Sequence, residues 1–186
     1  VPVSLYGNRD FDDGLIELRD LLEAGGFHTI AGAAFIGEHS FSKVLAAGRP
    51  DAKDLEIADQ FARRVAEKAA AWDPAVPHTP APVRGEEPIR PYYQPRDRKG
   101  NPIDIRKVKP KTSDACDNCG LCARVCPMGS IDPEDVRAFR GICIKCGACI
   151  KKCPKGAKYY DDPGYLYHKE ELELGYARRA EPALFL

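Results

Sequence analysis

All eight cysteines of this 186-residue chain lie between Cys116 and Cys153. They form two runs with one spacing, Cys-x2-Cys-x2-Cys-x3-Cys-Pro, at 116–127 and 143–154. CDNCGLCARVCPMGSI (116–131) and CIKCGACIKKCPKGAK (143–158) agree at seven of sixteen positions, namely four Cys, two Gly and one Pro, at a constant offset of 27 residues. Such a repeat predicts two halves related by a pseudo-two-fold axis, each building part of two sites. A disulfide scaffold would be expected to staple the whole chain. Thiols confined to 38 residues predict instead a local cofactor site in a reducing compartment, here the cytoplasm.

Spacing by two residues lets a short loop present three thiolates to one cluster, while a fourth, three residues on, points elsewhere. Gly120 and Gly147 let the backbone pass close to sulfur. Pro127 and Pro154 fix the turn after the fourth Cys and remove a donor that would lack a partner. Leu121, Val125, Ile142, Ile144, Ala148 and Ile150 would keep water away. Paired CxxC units can also make tetrahedral zinc sites, but zinc would use only some of these close-set thiols. The motif is that of the two-cluster bacterial-type ferredoxins, in which the fourth Cys ligates the other cluster. The resemblance covers 114–160 and implies two [4Fe-4S] clusters and electron transfer. It assigns Cys116, Cys119, Cys122 and Cys153 to one cluster, and Cys143, Cys146, Cys149 and Cys126 to the other. One departure is the basic set Arg124, Lys145, Lys151, Lys152, Lys155 and Lys158, either an offset to cluster charge or a docking face for an acidic redox partner.

The chain has 28 basic and 28 acidic residues, unevenly placed. Residues 1–72 carry 8 basic and 12 acidic side chains, 73–113 carry 9 and 5, and 114–186 carry 11 of each. No segment is basic enough to make nucleic acid the expected partner, and no run of about 20 apolar residues predicts a membrane span. Val1–Tyr6 reads as a buried strand and Phe27–Ile36 as a second. Between them, Asp12 or Asp13 is expected to cap a helix running to about Ala24. Asp54–Ala71 has helical periodicity, so 1–72 reads as strand–helix–strand–helix, a parallel βαβ pattern. Residues 73–113 hold nine of the sixteen prolines and read as an extended basic connector. Its basic charge is expected to attract the acidic 1–72. Tyr92 and Tyr93 read as packing anchors. After the cysteines, 161–186 is expected to form a short helix near Tyr165–Leu174 and an apolar tail, Ala183–Leu186.

The segments YGNR (6–9) and AFIGEHSF (34–41) resemble the second half of a flavodoxin-like domain. With the downstream cysteines and the closing EPALFL, they resemble the flavodoxin–ferredoxin fusion proteins (ferrodoxins) of anaerobic prokaryotes. The fold class is therefore expected to be α+β: a partial flavodoxin-like α/β unit followed by a ferredoxin-like two-[4Fe-4S] domain. The resemblance implies that Tyr6, Gly7, Asn8 and Arg9 contact FMN, and that electrons pass between flavin and clusters and then to a soluble redox partner. The alternative is a flavin-dependent reductase whose substrate docks on the flavin. A flavodoxin also needs a first strand and a phosphate-cradling loop, which do not precede Val1. A longer protein or another chain is expected to supply them. Glu38, His39 and Ser40 match a hydrolytic triad in letters only, since adjacent residues of an extended loop cannot converge on one point.

Overall fold

The computed structural model describes residues 1–186. In chain order the elements are β1 (Val3–Tyr6), α1 (Gly14–Ala24), β2 (Gly32–Ile36), α2 (Ala52–Ala70), β3 (Lys111–Thr112), α3 (Leu121–Arg124), α4 (Ala148–Lys151), β4 (Lys158–Tyr159), α5 (Pro163–Gly175) and β5 (Ala183–Phe185). This is a small mixed α+β chain. It divides into two compact units, Val1–His39 with Val44–Tyr93 and Tyr176–Leu186, and Ser40–Lys43 with Gln94–Gly175. The segments read as a connector (73–113) and as a C-terminal part (161–186) are each shared between the units. No helix is long and apolar enough to cross a membrane.

The first unit is built on a three-stranded sheet in the order β1-β2-β5. β1 and β2 are parallel, with Val3 opposite Ala33 and Leu5 opposite Phe35. Alternation sends Ala34 towards Phe11, Leu15 and Ile16 of the α1 side, and Ala33 and Phe35 towards Phe61 and Val65 of α2. The expected tail is in fact a strand: β5 runs antiparallel to β2, with Ala183 opposite Ala34. Its alternation places Ala183 and Phe185 in one core and Leu184 in the other. An apolar stretch this short cannot be told from a tail by composition, because its partner lies about 150 residues away in sequence.

Three local expectations are corrected. β1 is a half-exposed edge strand rather than a buried one, with Val3 49% and Leu5 67% exposed. The strand read over Phe27–Ile36 begins only at Gly32, because the Thr29 N–H donates to the Glu23 carboxylate (2.7 Å) instead of to a neighbouring strand. Asp13 occupies the cap position of α1, but its side chain makes no cap bond. That carboxylate instead accepts from Arg90, at 2.8 Å from the backbone N–H and at 2.6 and 2.9 Å from the guanidinium. The Arg90 guanidinium and N–H hold the Asp13 carboxyl far below the usual carboxylate range.

Residues 73–93, largely exposed, are nonetheless tied to the first unit at several points. Ala81 and Val83 are buried with α1, and the Arg84 guanidinium lies 3.8 Å above the Phe11 ring while pairing with Asp10. Arg19 pairs with Glu87 at 2.6 Å. Tyr92 donates to Glu17 (2.6 Å) and Arg9 covers Tyr93 at 3.9 Å, although both rings keep substantial exposure. α2 starts at Asp51, which accepts from the Asp54 N–H while Asp54 accepts from the Asp51 N–H, a reciprocal capping box.

In the second unit β3 and β4 form a two-stranded ribbon, with Thr112 opposite Lys158. Its core is Cys122, Ile131, Val136 and Cys149, with Phe139 and Ile150 against it. α5 starts where the Asp162 side chain accepts from the Tyr165 N–H at 2.8 Å, and it buries Tyr165, His168 and Leu172.

Candidate metal centre

The two cysteine runs fold alike. Gly120 and Gly147 both have left-handed φ (70° and 72°) and each starts a single-turn helix, α3 or α4. Asn118 and Lys145 (both 58°) and Gly129 and Gly156 (57° and 59°) repeat the correspondence. Such φ values disfavour side chains with a Cβ, which explains the glycines but makes Asn118 and Lys145 exceptions. At Gly147 a Cβ would also collide with the Ser40 carbonyl oxygen.

None of the eight cysteines is in a disulfide, and corresponding pairs share their burial: Cys122 and Cys149 buried, Cys119 and Cys146 exposed, the other four between. Cys116, Cys119, Cys122 and Cys153 line one cavity, against Leu121, Val136 and Ala157. Cys143, Cys146, Cys149 and Cys126 line another, against Ile131, Phe139, Ile144 and Tyr160. Each cavity thus draws three thiols from one run and the fourth from the other.

The donors around sulfur also repeat. The Ser130 N–H donates to Cys126 Sγ and the Ala157 N–H to Cys153 Sγ, both at 3.3 Å. The Tyr160 hydroxyl lies 3.9 Å from Cys143 Sγ, and the 27-residue offset places Pro133, which has no hydroxyl, at the corresponding position of the first half. Burial pushes the Cys149 thiol up to about 11 and raises Cys122, with the Lys158 charge opposing in both. At Cys153 burial is outweighed by backbone N–H donors, Ala157 first, and the thiol is lowered. A buried thiol with so high a pKa stays protonated unless a metal takes the proton's place. Four convergent thiols, apolar walls and N–H donors to sulfur together fit a cubane iron–sulfur cluster.

The basic residues singled out in sequence do not form one surface. Lys158 is 3% and Lys145 5% exposed. Lys158 Nζ donates to Thr112 Oγ1 (2.7 Å) and to the Val136 carbonyl, and Lys145 Nζ donates to the carbonyls of Arg106 and Cys143. Arg124 donates to the Cys119 carbonyl at 3.0 Å. Lys145 and Lys158 brace the cysteine loops from within, whereas Arg124, Lys152 and Lys155 are exposed. Tyr160 and Tyr165 were not singled out in sequence; their rings pack at 4.1 Å, and Phe41 packs on Tyr165 at 4.8 Å. The position of Tyr160, two residues beyond the second repeat (143–158), was the available signal.

The four residues expected to touch FMN lie together after β1. Tyr6 packs on Phe11 at 5.5 Å between ring centroids. Gly7 is pressed against His39, whose Cα would lie 2.9 Å from a Cβ there. Asn8 is buried, and its side chain is committed to the chain itself. Nδ2 donates to the carbonyls of Tyr176 and Arg178, both at 2.7 Å, and Oδ1 accepts from the Ala180 N–H. Arg9 pairs with Asp12 and stacks on Tyr93. Neither side chain is therefore turned to a ligand. The Glu38 carboxylate accepts from the Gly48 N–H at 3.0 Å.

The family described as the 4Fe-4S dicluster domain matches residues 115–158. The segment is thus similar to a ferredoxin-like iron–sulfur domain, and with eight cysteines it points to iron–sulfur electron transfer. The dicluster description agrees with a pair of four-thiol cavities. No curated protein and no solved structure gave a significant match to the chain.

Proposed function

We propose that this chain is an electron carrier in which Cys116, Cys119, Cys122 and Cys153 hold one [4Fe-4S] cluster and Cys143, Cys146, Cys149 and Cys126 the other. The observation that carries this reading is the pair of cavities, each walled by three thiols of one run and one of the other. Matching φ angles and burial at the 27-residue offset support a pseudo-two-fold relation between the halves. One-electron uptake and release is the chemistry such clusters supply when bound. The chain's own residues orient the thiolates, exclude water with Val136, Ile131 and Phe139, and place the Lys158 charge where it acts on both Cys122 and Cys149. The anaerobically purified chain should contain about eight irons and eight sulfides, and reduction by dithionite should bleach its visible absorption and give S = 1/2 EPR signals. A chain isolated in this way without iron or sulfide would sink the proposal.

Tyr160 distinguishes the two sites. Donors to sulfur stabilise the electron-rich state and raise the potential. A hydrogen bond contributes about 0.5–1.5 kcal/mol, and for one electron about 1.4 kcal/mol corresponds to about 59 mV. Tyr160→Phe should therefore lower one potential by about 20–60 mV and leave the other in place, as measured by EPR-monitored redox titration. Equal shifts in both would assign the effect to general packing.

A flavin is the second reading, and one observation favours it. β1 and β2 are parallel, so the loops after Tyr6 and Ile36 open at the same end of the sheet, joined by the Gly37 N–H donating to the Tyr6 carbonyl (2.9 Å). That is where open parallel sheets bind ligands. Because Asn8 and Arg9 are otherwise engaged, FMN would meet the Gly7–Asn8 backbone and Tyr6. The exposed Val3 and Leu5 leave β1 as an apolar edge that a further strand, from the same polypeptide or another chain, would cover. Titrating FMN into the protein with such a strand present should quench flavin fluorescence at micromolar concentration; no saturable binding removes this reading. Substrate-dependent reoxidation of the same preparation would instead favour a flavin-dependent reductase.

A further inference from the structure

We propose that the first unit holds a second, sulfur-free metal site, formed by Glu23, His28 and His78, that takes a divalent ion of the zinc class. Three separate segments supply the ligands: the last turn of α1, the turn that leads to β2, and the chain after α2. One carboxylate oxygen and one ring nitrogen from each imidazole all lie within 4.8 Å of one another. His78 Nε2 is 2.9 Å from Glu23 Oε1 and 3.1 Å from Oε2. In a tetrahedral zinc site with bonds of about 2.0–2.1 Å, ligand atoms stand about 3.3–3.4 Å apart. Glu23 and His78 would therefore need to part by only a few tenths of an ångström, while the His28 nitrogen would close on them from no more than 4.8 Å.

The surroundings hold the ligands as metal sites usually require. Glu23 Oε1 accepts from both the N–H and the hydroxyl of Thr29, a residue 1% exposed, and the Ala81 N–H donates to the same hydroxyl at 3.3 Å. These contacts fix the carboxylate from behind, the role that outer hydrogen bonds play around metal ligands. The Trp72 ring packs on His28 (5.6 Å, stacked) and on His78 (5.4 Å, edge-on), which keeps both imidazoles at the carboxylate. A plain Glu–His ion pair would need only His78. The His28 ring lies 4.4 Å from the His78 ring, at 52°, and supplies the third donor. Because His28 is exposed, an ion can enter from solvent and keep a water in the fourth position. Two nitrogens and one oxygen also differ in kind from the all-thiol cavities, so the two kinds of site select different metals. A bound ion would fasten residues 73–93 to the end of α1.

The test uses the full chain with its clusters in place, titrated anaerobically with Co2+. The wild type should bind one Co2+, with ligand-field bands and no thiolate charge-transfer absorption. His28→Ala removes an exposed ring and should leave the cluster spectrum unchanged. It should weaken Co2+ binding by at least the about 10–100-fold expected for loss of a supporting contact. Glu23→Gln should act in the same direction. Absence of saturable binding up to about 1 mM, thiolate charge-transfer bands, or equal affinity in wild type and His28→Ala would each overturn the proposal.

Discussion

Replacing Cys153 with Ala should remove the iron from the cavity of the first cysteine run and leave the second run loaded. Sequence proximity would suggest the reverse, since Cys153 closes the second run. The geometry decides otherwise, because Cys153 faces Cys116, Cys119 and Cys122. A cubane left with three thiolates beside an apolar wall loses a quarter of its protein ligands, and iron and sulfide should fall by about half, from about eight to about four per chain. Tyr160 identifies the survivor. In Cys153→Ala the remaining cluster should still respond to Tyr160→Phe, because that hydroxyl lies near Cys143. In Cys126→Ala the remaining cluster should not respond. If Cys153→Ala instead left a Tyr160-insensitive cluster, the crossed assignment would be wrong. The variant should also destabilise the second unit, because Cys122 and Cys149 belong to its core and small domains lean on their metals for folding.

Asp54→Ala should cost the first unit about 3–5 kcal/mol, the range for breaking a buried ion pair by removing one partner. Asp54 is 1% exposed and Arg49 8%, and the guanidinium forks onto the carboxylate through Nε and Nη2. Without Asp54 the Arg49 charge stays buried, with the Ala180 carbonyl (3.1 Å) and the more distant Asp51 carboxylate (3.9 Å) as its remaining partners. The double variant Arg49→Met with Asp54→Leu removes both charges and should recover most of the loss. It should remain short by about 1 kcal/mol, because Asp54 also accepts from the Asp51 N–H in the helix cap. Chemical denaturation followed by far-UV CD would measure both. The pH dependence has a defined sign. The hydrogen bond from Arg49 outweighs burial and holds the Asp54 carboxyl below its ordinary value. Its contribution is thus complete above the ordinary carboxylate range and is lost as pH falls below it. Wild type should lose stability over that acidic interval, and the double variant should lose less.

The cysteine site was legible because its information is local: spacing, glycine and proline sit within a dozen residues of one another. α1 and α2 were legible for the same reason, through apolar residues at helical spacing. What escaped depends on distant partners. Asp13 reads as a cap until Arg90, 77 residues on, takes its carboxylate. Lys145 and Lys158 read as surface cations until the carbonyls of Arg106 and Val136 receive them. Asn8 reads as a ligand-loop residue until its side chain bonds the backbone of Tyr176, Arg178 and Ala180. β5 was invisible as a strand because its hydrogen bonds go to β2.

That last strand has a consequence for how the chain is made. Apart from Ser40–Lys43, the iron-binding unit is, in connectivity, an insertion: residues 94–175 leave and return to the same unit. A ribosome therefore releases Ala183–Phe185 only after every cysteine has emerged. Until then β2 has an open edge, and Asn8 and Arg49 lack the backbone groups of 176–180 that they bind. The thiol loops, whose contacts are local, can close while the first unit is still waiting for its third strand. Order of synthesis thus favours assembly of the metal centre before completion of the sheet that flanks it in sequence.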